Sequence, residues 1–171
     1  MIRAQVSSVP AFSALRASLD TAYFHDCYSV ELPVDERSPL ELYLSVVSHT
    51  PGWIDALMKL RNKIVARLGL KDLGALSHID PGKPAQDYRV GDQAGIFKLL
   101  EIHEHEVVLG ETDKHLDVKI SVTRQDLPSG VVVSVATVVH VHNAMGRVYM
   151  FFVKPAHRIM APATVSRLTS R

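Results

Sequence analysis

The feature that most constrains this fold is a change of period near residue 94, where helical spacing gives way to strict alternation. Residues 115–124 (HLDVKISVTR) set Leu116, Val118, Ile120 and Val122 on one face and polar groups on the other. Successive side chains of a strand point to opposite sides, so the pattern reads as a strand with one apolar face. Residues 130–142 (GVVVSVATVVHVH) form a long β-branched run, and residues 127–130 (LPSG) supply the turn between the two. Upstream, residues 95–102 and 106–110 read as a hairpin turning at His103-Glu104-His105. The result is an antiparallel meander whose apolar face needs a cover.

The flanking segments provide it. Residues 23–32 (YFHDCYSVEL) read as a first strand ended by Pro33. In Ser38-Pro39-Leu40-Glu41 the serine can cap a helix, the proline suits the first helical position, and Glu41 closes a capping box. This helix should run to about His49, because Pro51 restricts Thr50. A second helix, over residues 52–68, carries Ile54, Leu57, Met58, Ile64, Val65 and Leu68 at helical spacing, and Gly69 stops it. Residues 71–93 hold five glycines and prolines and read as a long loop, of the kind that covers a site or moves. In the last segment Asn143 caps a helix whose stripe is Met145, Val148, Tyr149, Phe152, Ala156, Ile159, Met160 and Ala163. Pro155 should kink it, and Pro162 should bend or end it.

These elements predict an α+β chain of the helix-grip kind. A curved antiparallel sheet wraps around a long kinked C-terminal helix, and two short helices follow the first strand. One domain spans residues 1–171, with residues 1–20 irregular or short helical. Hydrophobic residues make up 47% and charged residues 22%, which suits a packed core and excludes disordered and fibrous classes. A net charge of +1 gives no field to steer nucleic acid. The single cysteine, Cys27, allows no internal disulfide and fits a reducing, cytoplasmic setting. No apolar run reaches the roughly 20 residues that cross a bilayer, and residues 1–13 lack a signal-peptide core.

The order of elements resembles the superfamily of plant pollen-allergen, lipid-transfer and polyketide-cyclase domains. More closely, the chain resembles the bacterial family catalogued as domain of unknown function 2867. The likeness rests on Thr50-Pro51-Gly52-Trp53, residues 57–62 (LMKLRN), 68–71 (LGLK) and 106–110 (EVVLG). It continues through His115-Leu116-Asp117, Thr137-Val138-Val139, residues 143–149 (NAMGRVY) and 154–158 (KPAHR). The resemblance implies a fold and a ligand cavity. It implies no activity and no catalytic residue, because the family is itself uncharacterised.

One group of candidate site residues lies near the C-terminus: Asn143, Arg147, Tyr149, Phe152, His157 and Arg158. Tyr149 could aim its hydroxyl into a cavity, and Arg147 or Arg158 could grip a carboxylate or phosphate with a guanidinium fork. The plain structural reading makes Asn143 a cap, Tyr149 a core aromatic and the arginines cross-braces. Trp53 could line the cavity mouth or anchor its helix. A second group, His115, Asp117, His140 and His142, could bind a divalent metal if Thr123 pairs with Val132, which sets His115 opposite His140. Exposed strand histidines are the simpler reading, and a register shift would break the set. The basic residues Lys59, Arg61, Lys63 and Arg67 read as a solvated face, and Cys27 as a packed thiol. No phosphate-binding glycine loop, serine elbow or paired-cysteine spacing is present, so no cofactor is expected.

The leading expectation is a binding module holding a small hydrophobic or amphipathic molecule beneath the last helix. A cyclase- or dehydratase-like enzyme using Tyr149, His115 or His157 as acid or base is the rival reading. A homodimer built on the outer sheet face or a strand edge, without ligand, is the third.

Overall fold

A computed structural model describes residues 3–67, 79–80 and 82–169. The strands are β1 (Gln5–Val6), β2 (Phe24–Leu32), β3 (Gln93–Ala94), β4 (Phe97–Ile102), β5 (Glu106–Thr112), β6 (Leu116–Leu127) and β7 (Gly130–Val141). The helices are α1 (Pro39–Ser48), α2 (Gly52–Arg67) and α3 (Ala144–Ser166). Gly69 and most of the expected long loop, residues 68–78 and 81, lie outside the described residues.

Among the described residues, seven strands form one curved antiparallel sheet in the order β1-β2-β7-β6-β5-β4-β3. The first long strand thus lies beside the last, and α1 and α2 fill the connection from β2 to the meander. With the long C-terminal helix laid over one face, the architecture is helix-grip-like. Local signals act as the sequence reads. Ser38 Oγ accepts from Glu41 N at 3.2 Å while Glu41 Oε2 accepts from Ser38 N at 2.7 Å. Pro128-Ser129 makes the tight turn that pairs Leu127 with Gly130. Gly130 is required by space, since a Cβ there would collide with the Leu32 carbonyl oxygen.

The two faces of the sheet are covered differently. On the concave face, Val30, Leu32, Val131 and Val133 pack with Leu40, Tyr43 and Val47 of α1 and with Val165 and Leu168 at the chain's last turns. On the convex face, the N-terminal segment with its 3-10 turn Ala14–Thr21 seals Val9 and Leu15 against Cys27, Val108, Ala136 and Val138. Cys27 is therefore a packed thiol, and burial pushes its pKa up.

Two expectations need correction. The register pairs Asp117 with His140 and Thr123 with Ser134, not Thr123 with Val132, so His115 does not stand opposite His140. The two-residue turn at Pro128-Ser129 fixes this, because loop length sets hairpin register. The second correction is the rotation of α3. Gly146, Met150 and Val165 are its buried positions, and His157 reaches β2. Val148, Phe152 and Ile159, expected to face the sheet, are exposed. Gly146 sets this rotation, since a side chain there would strike the His115 carbonyl oxygen. The helix runs unbroken through Pro155 and Pro162. Pro155 is exposed, so the carbonyl deprived of its amide partner can turn to water.

Candidate functional site

Strand alternation carries a row of side chains across the concave face: Asp26 of β2, Thr137 of β7, Ile120 of β6, Leu109 of β5 and Leu99 of β4. Leu99, Leu109 and Thr137 are buried, and Asp26 and Ile120, half-buried, lie between two packed regions. One is the large core beneath α1. The other is the cluster of Phe24, Leu116, Val139 and Met150 beneath the start of α3. Between them Val118, Ile120 and Val135 remain half-buried although they sit on the central strands β6 and β7. Apolar side chains in the middle of a sheet keep contact with solvent only where the layer above leaves a gap. Val118, Ile120 and Val135 thus mark where the cover over the central strands is incomplete.

A polar pair sits on the β2 side of these residues. His157 Nε2 of α3 lies 3.3 Å from Oδ1 and 3.2 Å from Oδ2 of Asp26. Asp26 is largely buried, and Thr137, its cross-strand neighbour, is buried. The His157 ring stands edge-on to Phe24, with centroids 5.6 Å apart, and Lys154 Nζ lies over that phenyl ring at 5.4 Å. Tyr28, next along the same strand face, has its hydroxyl pKa raised, first by burial and then by the Asp26 charge, against the pull of Arg158. A carboxylate accepting from Nε2–H fixes the imidazole tautomer and leaves Nδ1 with its lone pair. Such a pair can anchor a polar group of a ligand or move a proton.

At the other flank of α3, Arg61 Nε of α2 donates to Tyr149 Oη at 3.0 Å, and its guanidinium lies 5.4 Å from the Tyr149 ring centroid. Tyr149 also packs beside the cluster around Phe24 and Met150. Its hydroxyl is thus engaged by α2, where the sequence suggested a cavity. Asn143 is a cap: its Oδ1 accepts from Gly146 N at 3.1 Å, and its Nδ2 donates to Lys114 O at 3.0 Å. Phe152 is 67% exposed on the outer side of α3, away from the sheet. Arg147 and Arg158 are exposed, as is Trp53 at the first turn of α2. Of the residues singled out in the sequence, His157 is the one in this polar pair, while its partner Asp26, the neighbouring Thr137 and the Tyr149 partner Arg61 were not singled out as site residues. One signal was available. In YFHDCYSVEL the apolar positions Phe24, Tyr28, Val30 and Leu32 alternate, and Asp26 occupies an inward slot of that same face.

The second candidate group lies elsewhere. His142 Nε2 and Asp117 Oδ2 are 3.0 Å apart, His140 Nε2 meets Thr21 Oγ1 at 3.1 Å, and His115 Nδ1 meets Asn143 Oδ1 at 3.1 Å. Each histidine has its own partner, and among the described residues no three histidine, cysteine or carboxylate side chains gather as metal ligands. Among those residues, also, no helix is long and apolar enough to cross a membrane.

Residues 18–164 match the family model described as a protein of unknown function, DUF2867, and the chain belongs to that family. No curated protein and no solved structure matches it.

Proposed function

We propose that the protein binds a small, largely apolar molecule carrying one polar head in the recess between the sheet and α3. The single observation behind this reading is the coincidence of half-buried Val118, Ile120 and Val135 with the Asp26–His157 pair. Ligand sites are concave and mostly apolar, with a few convergent polar groups that fix orientation. Here β6 and β7 supply the apolar floor, and Asp26 with His157 supplies the pole. No cofactor is invoked.

Incubating the protein with fatty acids and fatty alcohols of graded length, followed by native mass spectrometry, tests the reading. A one-to-one bound mass is expected, lost in Asp26→Asn and His157→Gln variants that keep the wild-type circular dichroism. Absence of any bound species across the series, or binding untouched by both substitutions, contradicts it.

The same pair supports a second reading, an acid–base enzyme of the cyclase or dehydratase kind with His157 as the proton carrier. A bound molecule recovered chemically altered would favour it. A molecule returned intact favours simple binding.

A further inference from the structure

The outer side of α3 carries a second apolar stripe that the recess does not use. Val148, Phe151, Phe152 and Ile159 are 48%, 75%, 67% and 66% exposed, and the two phenyl rings stand edge to face, centroids 5.3 Å apart. Pro155 is exposed within the same band. A helix apolar on both faces is ordinarily buried on both. Contiguous exposed aromatics on one helix mark a surface that meets something.

Charge says what that surface meets. From Asn143 to the end of the chain there is no Asp or Glu, yet this stretch holds five of the chain's 19 basic residues. The remainder of the chain is therefore net negative, and the +1 total conceals a divided molecule. Arg147, Lys154 and Arg158 stand at spacings of seven and four, which places them in one row along an edge of the apolar band. Arg147 and Arg158 are exposed, and Lys154 is half-buried. On the opposite flank, where Tyr149 meets Arg61, α2 adds exposed Trp53, Leu57 and Leu60 together with Lys59 and Lys63. Aromatic and aliphatic side chains rimmed by cations, on a helix without acids, are the pattern that lies in the headgroup layer of an anionic membrane. A second copy of the chain fits less well. A two-fold contact sets a patch against itself, so these arginines would meet their own copies with no carboxylate on the helix to pair them.

We propose that the outer face of α3 docks on an anionic lipid surface, inserting Phe151 and Phe152 among the headgroups while Arg147 and Arg158 hold lipid phosphates. This docking is independent of the recess.

Flotation of the full chain with vesicles of phosphatidylcholine alone, and of phosphatidylcholine mixed with phosphatidylglycerol, tests it. Binding is expected only to the mixed vesicles and should weaken as salt rises, because screening shortens the reach of the cations. Phe151→Ser combined with Phe152→Ser should lower the apparent affinity at least ~10-fold. Arg147→Gln with Arg158→Gln should lower it and flatten the salt dependence. All four positions are exposed, and thermal melts confirm that the variants fold. Equal binding to both vesicle types, no binding by the wild type, or full binding by the double serine variant overturns the proposal. So does size exclusion that finds a dimer which the serine variant converts to monomer, since the face then serves self-association. Asp26→Asn should leave vesicle binding unchanged, so failure of the recess and failure of this face are told apart.

Discussion

Two carboxylates lie on opposite sides of this sheet, both largely withdrawn from water, and their surroundings differ in kind. Glu106, on the convex side, accepts from Ser13 Oγ at 2.6 Å, Ser121 Oγ at 2.5 Å and Ala14 N at 2.9 Å. Its partners are hydroxyl and amide donors, and Glu106, Ser13 and Ser121 are sealed beneath the N-terminal segment. Asp26, on the concave side, faces the His157 imidazole next to half-buried apolar side chains. Buried charge is tolerated in proteins when hydrogen bonds satisfy it. A carboxylate saturated by non-titrating donors fastens one segment to another. A carboxylate paired with imidazole beside half-buried apolar side chains is the arrangement on which the proposed ligand site rests.

The largest test of this contrast is Glu106→Ala. It leaves Ser13, Ser121 and the Ala14 amide without their acceptor in a buried site, so a loss of about 3 kcal/mol or more is expected. Hydrogen exchange should show residues 13–21 opening together with the loss. A change below ~1 kcal/mol would show that the convex network fastens nothing.

Tyr43 gives a middle-sized test, at the packed end of the concave side. It is buried and donates to Ala94 O at 2.9 Å, and burial holds its pKa well above the ordinary tyrosine value. The unfolded chain ionises this phenol near pH ~10 while the native state keeps its proton. The stabilisation is therefore complete below that pH and falls as pH rises beyond it. Tyr43→Phe should cost about 1 kcal/mol at neutral pH and flatten the alkaline decline measured by urea titration. An unchanged alkaline slope would contradict the packed end's being sealed.

The smallest stability effect should come from Asp26→Asn. The amide keeps the size of the carboxylate and an oxygen that can accept from His157, so a change within about 0.5 kcal/mol is expected, alongside the loss of binding predicted above. A loss as large as that of Glu106→Ala would make Asp26 a structural fastening like its counterpart.

The sequence shows the strands of this molecule more clearly than the placement of its helices. Strict alternation in HLDVKISVTR assigns faces without further help, and Ser38-Pro39-Leu40-Glu41 carries its own stop and start chemistry. The rotation of α3 was not legible, because the helix has apolar residues on both sides and the wheel alone chooses neither. A backbone contact at Gly146 decides it, and such a contact exists only once β6 and β7 have paired. The pairing of His115 was misread for a related reason, since it depends on a two-residue turn at Pro128-Ser129 and one altered count moves every partner. Half of the polar site follows the same logic. His157 stands in a basic helix and attracts notice, whereas Asp26 shows its meaning only against the apolar slots around it.

The central claim is that a hollow lies over the middle of the concave face, and paired enlargements at two neighbouring places measure it directly. Ile120→Phe adds volume where the side chain is half-buried, and Val133→Phe adds it where exposure is 0%. Urea unfolding with unchanged slope should place Ile120→Phe within about 0.5 kcal/mol of wild type and Val133→Phe about 1–3 kcal/mol below it. Equal losses in the two variants would mean that the space over Ile120 is already filled, and the recess with its ligand would have no place to be.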